Sequence, residues 1–240
     1  MSKKFKVIVA DCPWPFKDTL KMSDVARGAS SNYSVMSISD IRQLPVKALA
    51  HPDGAILALW VPSSLLQEGL DTMKDWGFAH KQTYIWVKTK IEPLVEFKKL
   101  MKLATNIMST LDKEKKTFKL SEIKSTFRYA YDASQREFNL QNMLAFGMGR
   151  LFRQSHEICL IGTSNNKIYK SLANKSQRSV SLAPNMRHSA KPEDLQDSLD
   201  IMFPKGNKLE LFARRLRHDW TCLGNEICNG EDIRDSLAKL

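Results

Sequence analysis

Short, largely apolar runs recur along the chain without the alternation that marks a strand with one wet face. KVIVA at 6–10, AILALW at 55–60, TYIWV at 83–87, EICLI at 157–161 and LELF at 209–212 are of this kind, and they predict strands buried on both sides. Helical patterns lie between them. One is capped by Ser39-Asp40 and runs to about Ala50, one opens at Pro62-Ser63-Ser64 and runs to Trp76 before Gly77, and one opens at Lys191-Pro192-Glu193-Asp194 and stops before Pro204. Polar or proline starts with a glycine or proline near the stop are the ordinary punctuation of helices. Strands alternating with helices predict an α/β fold, a parallel or mixed sheet covered by helices on both faces. No internal repeat is present.

One segment breaks this rhythm. Residues 88–128 hold eleven Lys/Arg against five Asp/Glu, a local balance of +6. EPLVEFKKLMK at 92–102 is amphipathic, and 112–119 is rich in lysine. The pattern predicts one domain over residues 1–240 that carries a basic inserted subdomain over 91–144. A solvated helical excursion and a nucleic-acid or dimer contact are both consistent with such a charge run. A second stretch, 163–188, rich in Ser, Asn, Lys and Arg, reads as a mobile loop on the rim of the sheet.

Composition excludes several classes. With 42% hydrophobic and 26% charged residues over 240 positions, the chain has enough apolar surface for a core of its own. It contains no run of eighteen apolar residues, so no membrane partner is expected. Its first residues reach a charged motif too soon for a signal peptide. Cys12, Cys159, Cys222 and Cys228 form no C-x-x-C pair, as expected of reduced thiols in a cytoplasm, or in a nucleus if the source is eukaryotic. The formal net charge of +11 points to a polyanionic partner, of which nucleic acid is the usual one.

Chemistry concentrates in Asp11-Cys12-Pro13-Trp14, directly after the first strand. Open α/β sheets bind ligands beyond the carboxyl ends of their strands. A carboxylate acceptor, a stiff proline turn and an exposed aromatic could there hold an amine-bearing planar base. The same four residues also suit a plain tight turn whose tryptophan packs inward. Cys12 beside a cofactor pocket would suit a nucleophile of the cytosine-C5 kind, though no general-base partner for the thiol is evident.

Further motifs follow in order: Gly28-Ala29, YSVMS at 33–37, LWV at 59–61, WGF at 76–78, WVKT at 86–89, GMG at 147–149, Arg153, Glu157, LIG at 160–162, HSAKPE at 188–193, ELFAR at 210–214, and Trp220 followed by Gly224-Asn225-Glu226. Over about residues 6–90 and 145–227 the sequence resembles the MT-A70 family of adenine-N6 methyltransferases, whose Asp-Pro-Pro-Trp stands here as DCPW. The resemblance implies a Rossmann-like methyltransferase sheet in permuted motif order, S-adenosylmethionine as cofactor, and methylation of the 6-amino group of adenine in a base flipped out or single-stranded. It implies catalytic roles for Asp11, Cys12, Pro13 and Trp14: the Asp11 carboxylate and the Cys12 carbonyl take hydrogen bonds from the amine, and Trp14 stacks on the base. Cys12 departs from the family's proline, which removes a locked φ but leaves the carbonyl.

For the cofactor, the resemblance implies Asp11, Lys191 on the methionine carboxylate, and Glu210, Arg214, Asn225 and Glu226 near the ribose. Arg27, Tyr33, Arg150, Arg153, Arg187 and His188 are expected at nucleic acid, with loops 15–36 and 185–190 closing over the base. DNA is expected before RNA, because no RNA-binding module is recognisable and because a compact standalone member resembles prokaryotic and phage-type relatives, which also implies a prokaryotic or phage-infected host cytoplasm. A homodimer or a related partner subunit is the further partner expected, and a catalytically inactive partner subunit is the rival function. No G-x-G-x-x-G loop is present, which disfavours a dinucleotide dehydrogenase. His218, Cys222 and Cys228 match no zinc spacing, so no metal is expected. His156 reads as structural.

Overall fold

The computed structural model of the protein describes residues 3–15, 35–90, 140–147, 149, 151–184 and 190–240, with isolated positions between 102 and 128. The inserted segment expected over 91–144 lies almost wholly outside them. The chain forms two compact units, Met1–Trp86 with His156–Ser181 and Ala190–Leu240, and Val87–Ser155 with Leu182–Ser189.

The described strands are β1 (Val7–Ala10), β2 (Ile56–Val61), β3 (Ala79–Thr89), β4 (His156–Thr163), β5 (Val180–Pro184), β6 (Lys208–Leu211) and β7 (Trp220–Leu223). They form one sheet in the order β5-β3-β4-β2-β1-β6-β7. Every residue of β1 and β2 is buried, as their unbroken apolar sequences predict. β1 runs parallel to both β2 and β6, with Val7 opposite Ile56 and Lys208. β7 continues the parallel set beside β6, whereas β4 is antiparallel to β2, with Trp60 opposite Cys159.

Two consequences position the site. The chain passes from β1 to β2 on one side and reaches β6 on the other, so the direction of winding reverses at β1; the crevice beyond such a reversal is where open α/β sheets bind ligands. Because β4 is antiparallel, its first residues stand at the edge where β1, β2 and β6 end.

Helices cover both faces, in agreement with the α/β expectation. Ile8, Ala10, Leu57, Leu59, Val61, Leu209 and Leu211 share one core cluster with Ile41 of α1 (Ile38–Arg42), Val46 and Leu49 of α2 (Val46–Leu49), Met73 of α3 (Leu66–Asp75), and Ile233 and Leu237 of α5 (Ile233–Ala238). Lys208 and Glu210 alternate with Leu209 and Leu211 and therefore face the other way. They meet α4 (Asp194–Met202) there: Lys208 pairs with Asp200, and Gln196 Nε2 donates to Glu210 at 3.1 Å.

Local chemistry sets the helix ends. The pattern expected from Ser39-Asp40 to Ala50 is two helices. Ser37 is the cap, accepting from the Asp40 amide at 3.0 Å, and Pro45, which lacks an N–H, separates α1 from α2. A 3₁₀ turn at Ser63–Leu65 precedes α3. That helix stops at Gly77, whose φ of 80° suits a residue without Cβ. The Phe78 amide reaches back to the Met73 carbonyl at 3.0 Å and the Gly77 amide to Lys74 at 2.9 Å, the paired bonds of a Schellman stop, and both Phe78 and Met73 belong to the core cluster.

The stretch 163–188 differs from the expected mobile loop. It holds a 3₁₀ turn at Asn166–Ser171, capped by Asn165 and anchored by buried Ile168, and then β5. The part of the stretch over 185–188 lies outside the described residues. Among those residues, no helix is long and apolar enough to cross a membrane.

Candidate functional site

Asp11 is the first residue past β1. Its amide donates to the Leu211 carbonyl at 3.4 Å, so the parallel ladder with β6 carries it to the sheet's edge. Lys191, in the segment that leads into α4, places its Nζ 2.9 and 3.1 Å from the two Asp11 oxygens and 3.1 Å from Glu157 Oε2. The ammonium also lies 5.7 Å from the Trp60 ring centroid, within range of the ring's negative face. Burial alone would lower the Lys191 pKa, but Asp11 and Glu157 outweigh it and the net shift is upward. Lys191 is therefore a fixed cation between two carboxylates. The resemblance assigned it to the methionine carboxylate of the cofactor; here its three N–H donors point to Asp11 and Glu157.

Sequence reasoning passed over Glu157 as a site residue. Its place follows from β4 being antiparallel, which the sequence did not specify.

Cys12 is 4% exposed and belongs to the core cluster. Burial, and then the negative charge of Asp11, push its thiol well above the ordinary cysteine value. A thiol kept protonated is a poor nucleophile, which removes the cytosine-C5 reading. Its carbonyl accepts the Trp14 amide at 2.9 Å and keeps a second lone pair. The Pro13 carbonyl accepts from the Met36 amide at 3.0 Å.

Trp14 corrects an expectation. The motif predicts an exposed aromatic that stacks on a base, yet the ring is 4% exposed and its Nε1 donates to the Trp60 carbonyl at 2.8 Å. In this structure the ring ties the end of β1 to β2. Trp60 in turn meets Tyr84 edge-on, with centroids 6.2 Å apart, and its own buried Nε1 has no hydrogen-bond partner among the described residues.

The residues expected near the ribose lie on β6 and past the ends of β6 and β7. Glu210 is on β6, and burial raises its carboxyl pKa more than the Gln196 hydrogen bond and Arg215 lower it. Gln196 is itself buried, with Oε1 unpartnered among the described residues; no motif marks it. Past β6 the chain turns sharply at Phe212, φ 61°, a conformation rare for a bulky residue and frequent where backbone strain serves a site. The Ala213 amide donates to Leu223 at 2.9 Å. A Cβ on Gly224 would stand 2.3 Å from the Ala213 carbonyl oxygen, so only glycine lets the ends of β6 and β7 approach. Arg214 Nε lies 3.6 Å from Glu226 Oε1, and Asn225 is exposed beside them. Asp11, Lys191 and Glu157 are thus in contact, and Arg214 pairs with Glu226.

Arg27, Tyr33, Arg150, Arg187 and His188, expected at nucleic acid, lie outside the described residues, as do most of the two loops expected to close over a base. Arg153 is in the second unit, its guanidinium 4.7 Å from the Phe146 ring centroid. Among the described residues, no group of three or more His, Cys, Asp or Glu could hold a metal ion.

A family model described as MT-A70 matches residues 5–135 and 136–226. The chain is similar to a probable N(6)-adenosine-methyltransferase MT-A70-like protein of Oryza sativa subsp. japonica, 26% identical over 236 residues, 97% of this chain and 24% of the relative. It is similar to the human N(6)-adenosine-methyltransferase catalytic subunit METTL3, 22% identical over 227 residues, 93% of this chain and 28% of the relative. It is also similar to the Type II methyltransferase M.MunI of Mycoplasma sp, 24% identical over 240 residues, 94% of this chain and 78% of the relative. The chain spans about a quarter of the length of the adenosine methyltransferases it matches.

Proposed function

The chain belongs to the MT-A70 family, and we propose that it transfers a methyl group from S-adenosylmethionine to the exocyclic N6 amine of adenine in nucleic acid, with DNA as the acceptor. The observation that carries this reading is Asp11, a carboxylate held at the carboxyl end of β1 by Lys191 at 2.9 Å, beside the crevice where the winding reverses. The match over 78% of a type II methyltransferase favours DNA; the net charge of +11 favours a polyanion of either kind.

The residues present fit the cofactor. Asp11, Glu157 and Glu210 collect negative charge at the strand ends, which suits a positively charged sulfonium. Arg214, Asn225 and Glu226 offer donors and acceptors for a ribose, and Gln196 adds a buried amide behind Glu210. When bound, the cofactor supplies a methyl group on a good leaving group, and the protein's task is orientation.

Asp11 has the more demanding role. The lone pair of an aromatic amine is delocalised into its ring, so the nitrogen attacks poorly. A carboxylate offers about four lone-pair sites, and Lys191 uses two. The others can accept from the amine and, with the second lone pair of the Cys12 carbonyl, draw its N–H groups out of the ring plane. Lys191 holds the Asp11 carboxylate in place while this happens.

The test uses the whole chain with labelled S-adenosylmethionine and either DNA or RNA, followed by digestion to nucleosides. Labelled N6-methyldeoxyadenosine from the DNA arm is expected, and its loss in Asp11→Asn with unchanged folding. Label appearing only in the RNA arm would refute the choice of DNA. Turnover kept by Asp11→Asn would refute the role of Asp11.

A further inference from the structure

We infer that Arg215 and Glu193 are positioning residues that set where the Lys191 ammonium stands. The kinetic half of this inference rests on the methyl-transfer reading; the structural half does not.

Lys191 reaches Asp11 through four flexible side-chain bonds, so the ammonium's position depends on how firmly the Lys191 backbone is held. That backbone lies outside any element, three residues before α4. Its carbonyl accepts from Arg215 Nη2 at 3.3 Å. The same guanidinium turns its Nε to Glu193 Oε1 at 2.7 Å. Arg215 thus bridges a main-chain oxygen at position 191 and a side chain two residues on, spanning Pro192, which has no N–H of its own to offer.

Arg215 is itself carried by an anchored loop. The other Glu193 oxygen takes Arg217 Nη1 at 2.5 Å. Arg217 continues to Asp197 at 2.5 Å and Asp200 at 2.8 Å. Positions 193, 197 and 200 are spaced i, i+4 and i+7 and so form one stripe along α4. Asp200 also accepts from Trp220 Nε1 at 3.1 Å and pairs with Lys208. Arg217 therefore fastens the β6–β7 connection to α4, and Arg215, two residues earlier in the same connection, extends from it to Lys191.

Stability does not account for the Arg215–Glu193 pair. Both side chains are 43% exposed, and ion pairs so exposed contribute little to folding. What the pair has is a planar fork holding two acceptors at once, which the single ammonium of a lysine does not reproduce. An Arg215→Lys change would keep the charge opposite Glu193 and lose the arm to the Lys191 carbonyl.

The experiment follows the Lys191 side-chain ammonium of the ¹⁵N-labelled full chain by NMR, its signal assigned through its loss in Lys191→Arg. In the unaltered chain, three short contacts should slow exchange of its protons with water. Arg215→Ala and Arg215→Lys should both speed that exchange on the order of ten-fold, while Arg234→Ala, which removes a surface pair with Asp40, leaves it unchanged. Thermal midpoints should stay within about 2 °C of the unaltered chain, since little stability is involved. In the methyl-transfer assay both Arg215 variants should lose about ten-fold in kcat, with the cofactor KM within about two-fold. Unaltered exchange in Arg215→Ala overturns the inference, and so does full rescue by lysine. If the unaltered chain transfers no methyl group while Lys191 exchange still responds to Arg215, the methyl-transfer reading falls and the positioning role stands. An active chain whose kcat ignores Arg215 overturns the kinetic half.

Discussion

Replacing Lys191 by methionine keeps most of the side chain's length and apolar surface and removes its charge. Nζ lies 2.9 Å from Asp11 and 3.1 Å from Glu157, and the three side chains are 13%, 22% and 24% exposed. At 2.9 Å one such pair attracts by about 6 kcal/mol with an effective dielectric near 20, and by about 1.4 kcal/mol in bulk water. Desolvation of the three groups offsets most of the larger figure. The loss of the cation also leaves two carboxylates turned toward the same point. A net destabilisation of about 2–3 kcal/mol follows at pH 7.5, or roughly 4–12 °C in thermal midpoint for a chain of this size.

The pH dependence carries the sharper test. In the unaltered chain Lys191 has a raised pKa, burial lowering it and Asp11 and Glu157 outweighing that. Its contribution is therefore fully present below the ordinary value of 10.5 and lost only as pH rises through the raised one. In Lys191→Met the two facing carboxylates are relieved when one takes up a proton, so the deficit should shrink at mildly acidic pH. Urea unfolding of both proteins at pH 7.5 and pH 5 reads both numbers. In the double variant Lys191→Met with Glu157→Gln about 1 kcal/mol should return. A deficit below about 0.5 kcal/mol, or one equal at the two pH values, would refute the triad as an electrostatic unit.

Cys12→Ala should keep methyl transfer and lose only about 1 kcal/mol of stability, the size of a small buried group; at pH 8 a thiol reagent should label exposed Cys228 and spare Cys12. Labelling of Cys12 at a comparable rate would contradict its burial. Glu210→Gln should raise the melting temperature at pH 7, because burial has raised the Glu210 carboxyl and its charge costs stability above its ordinary value of 4.5; the gain should shrink as scans are taken to pH values well below 4.5. Asp200→Asn should lose about 1–2 kcal/mol at neutral pH. Burial raises that carboxyl, but Lys208 and Arg217 lower it further, so the deficit against the unaltered chain should persist above pH 3.8 and close as pH falls below it. An acid titration of the two proteins in parallel measures this, and parallel curves would count against the reading.

How much of the fold could be read from the sequence varied with the kind of signal. β1 and β2 are buried on both faces, and such strands declare themselves as unbroken apolar runs. β5 is an edge strand with Val180 and Leu182 exposed; it has no such run, and its serines and basic neighbours made it look like loop. The break between α1 and α2 was written at Pro45, but hydrophobic spacing on both sides kept one period, and the period dominated. Trp14 is buried where the motif predicts an exposed ring: a proline turn after a strand suits an exposed ring and an inward one equally. The Trp60 carbonyl, forty-six residues away, decides between them.

The site divides along the same line. Asp11 and Lys191 each stand in a recognisable motif, yet their contact spans 180 residues and no local spacing encodes it. Glu157 depends on something still less local, the direction of one strand. It sits at the start of β4, opposite the end of β2, because β4 runs antiparallel. Were the same eight residues parallel to β2, Glu157 would stand near the other edge of the sheet, roughly 17 Å away at the rise of an extended strand. Lys191 would then face Asp11 alone. The second carboxylate, which makes the centre a net anion, is thus a product of topology. Any chain that keeps the Asp11 and Lys191 motifs but reverses β4 must find that charge elsewhere.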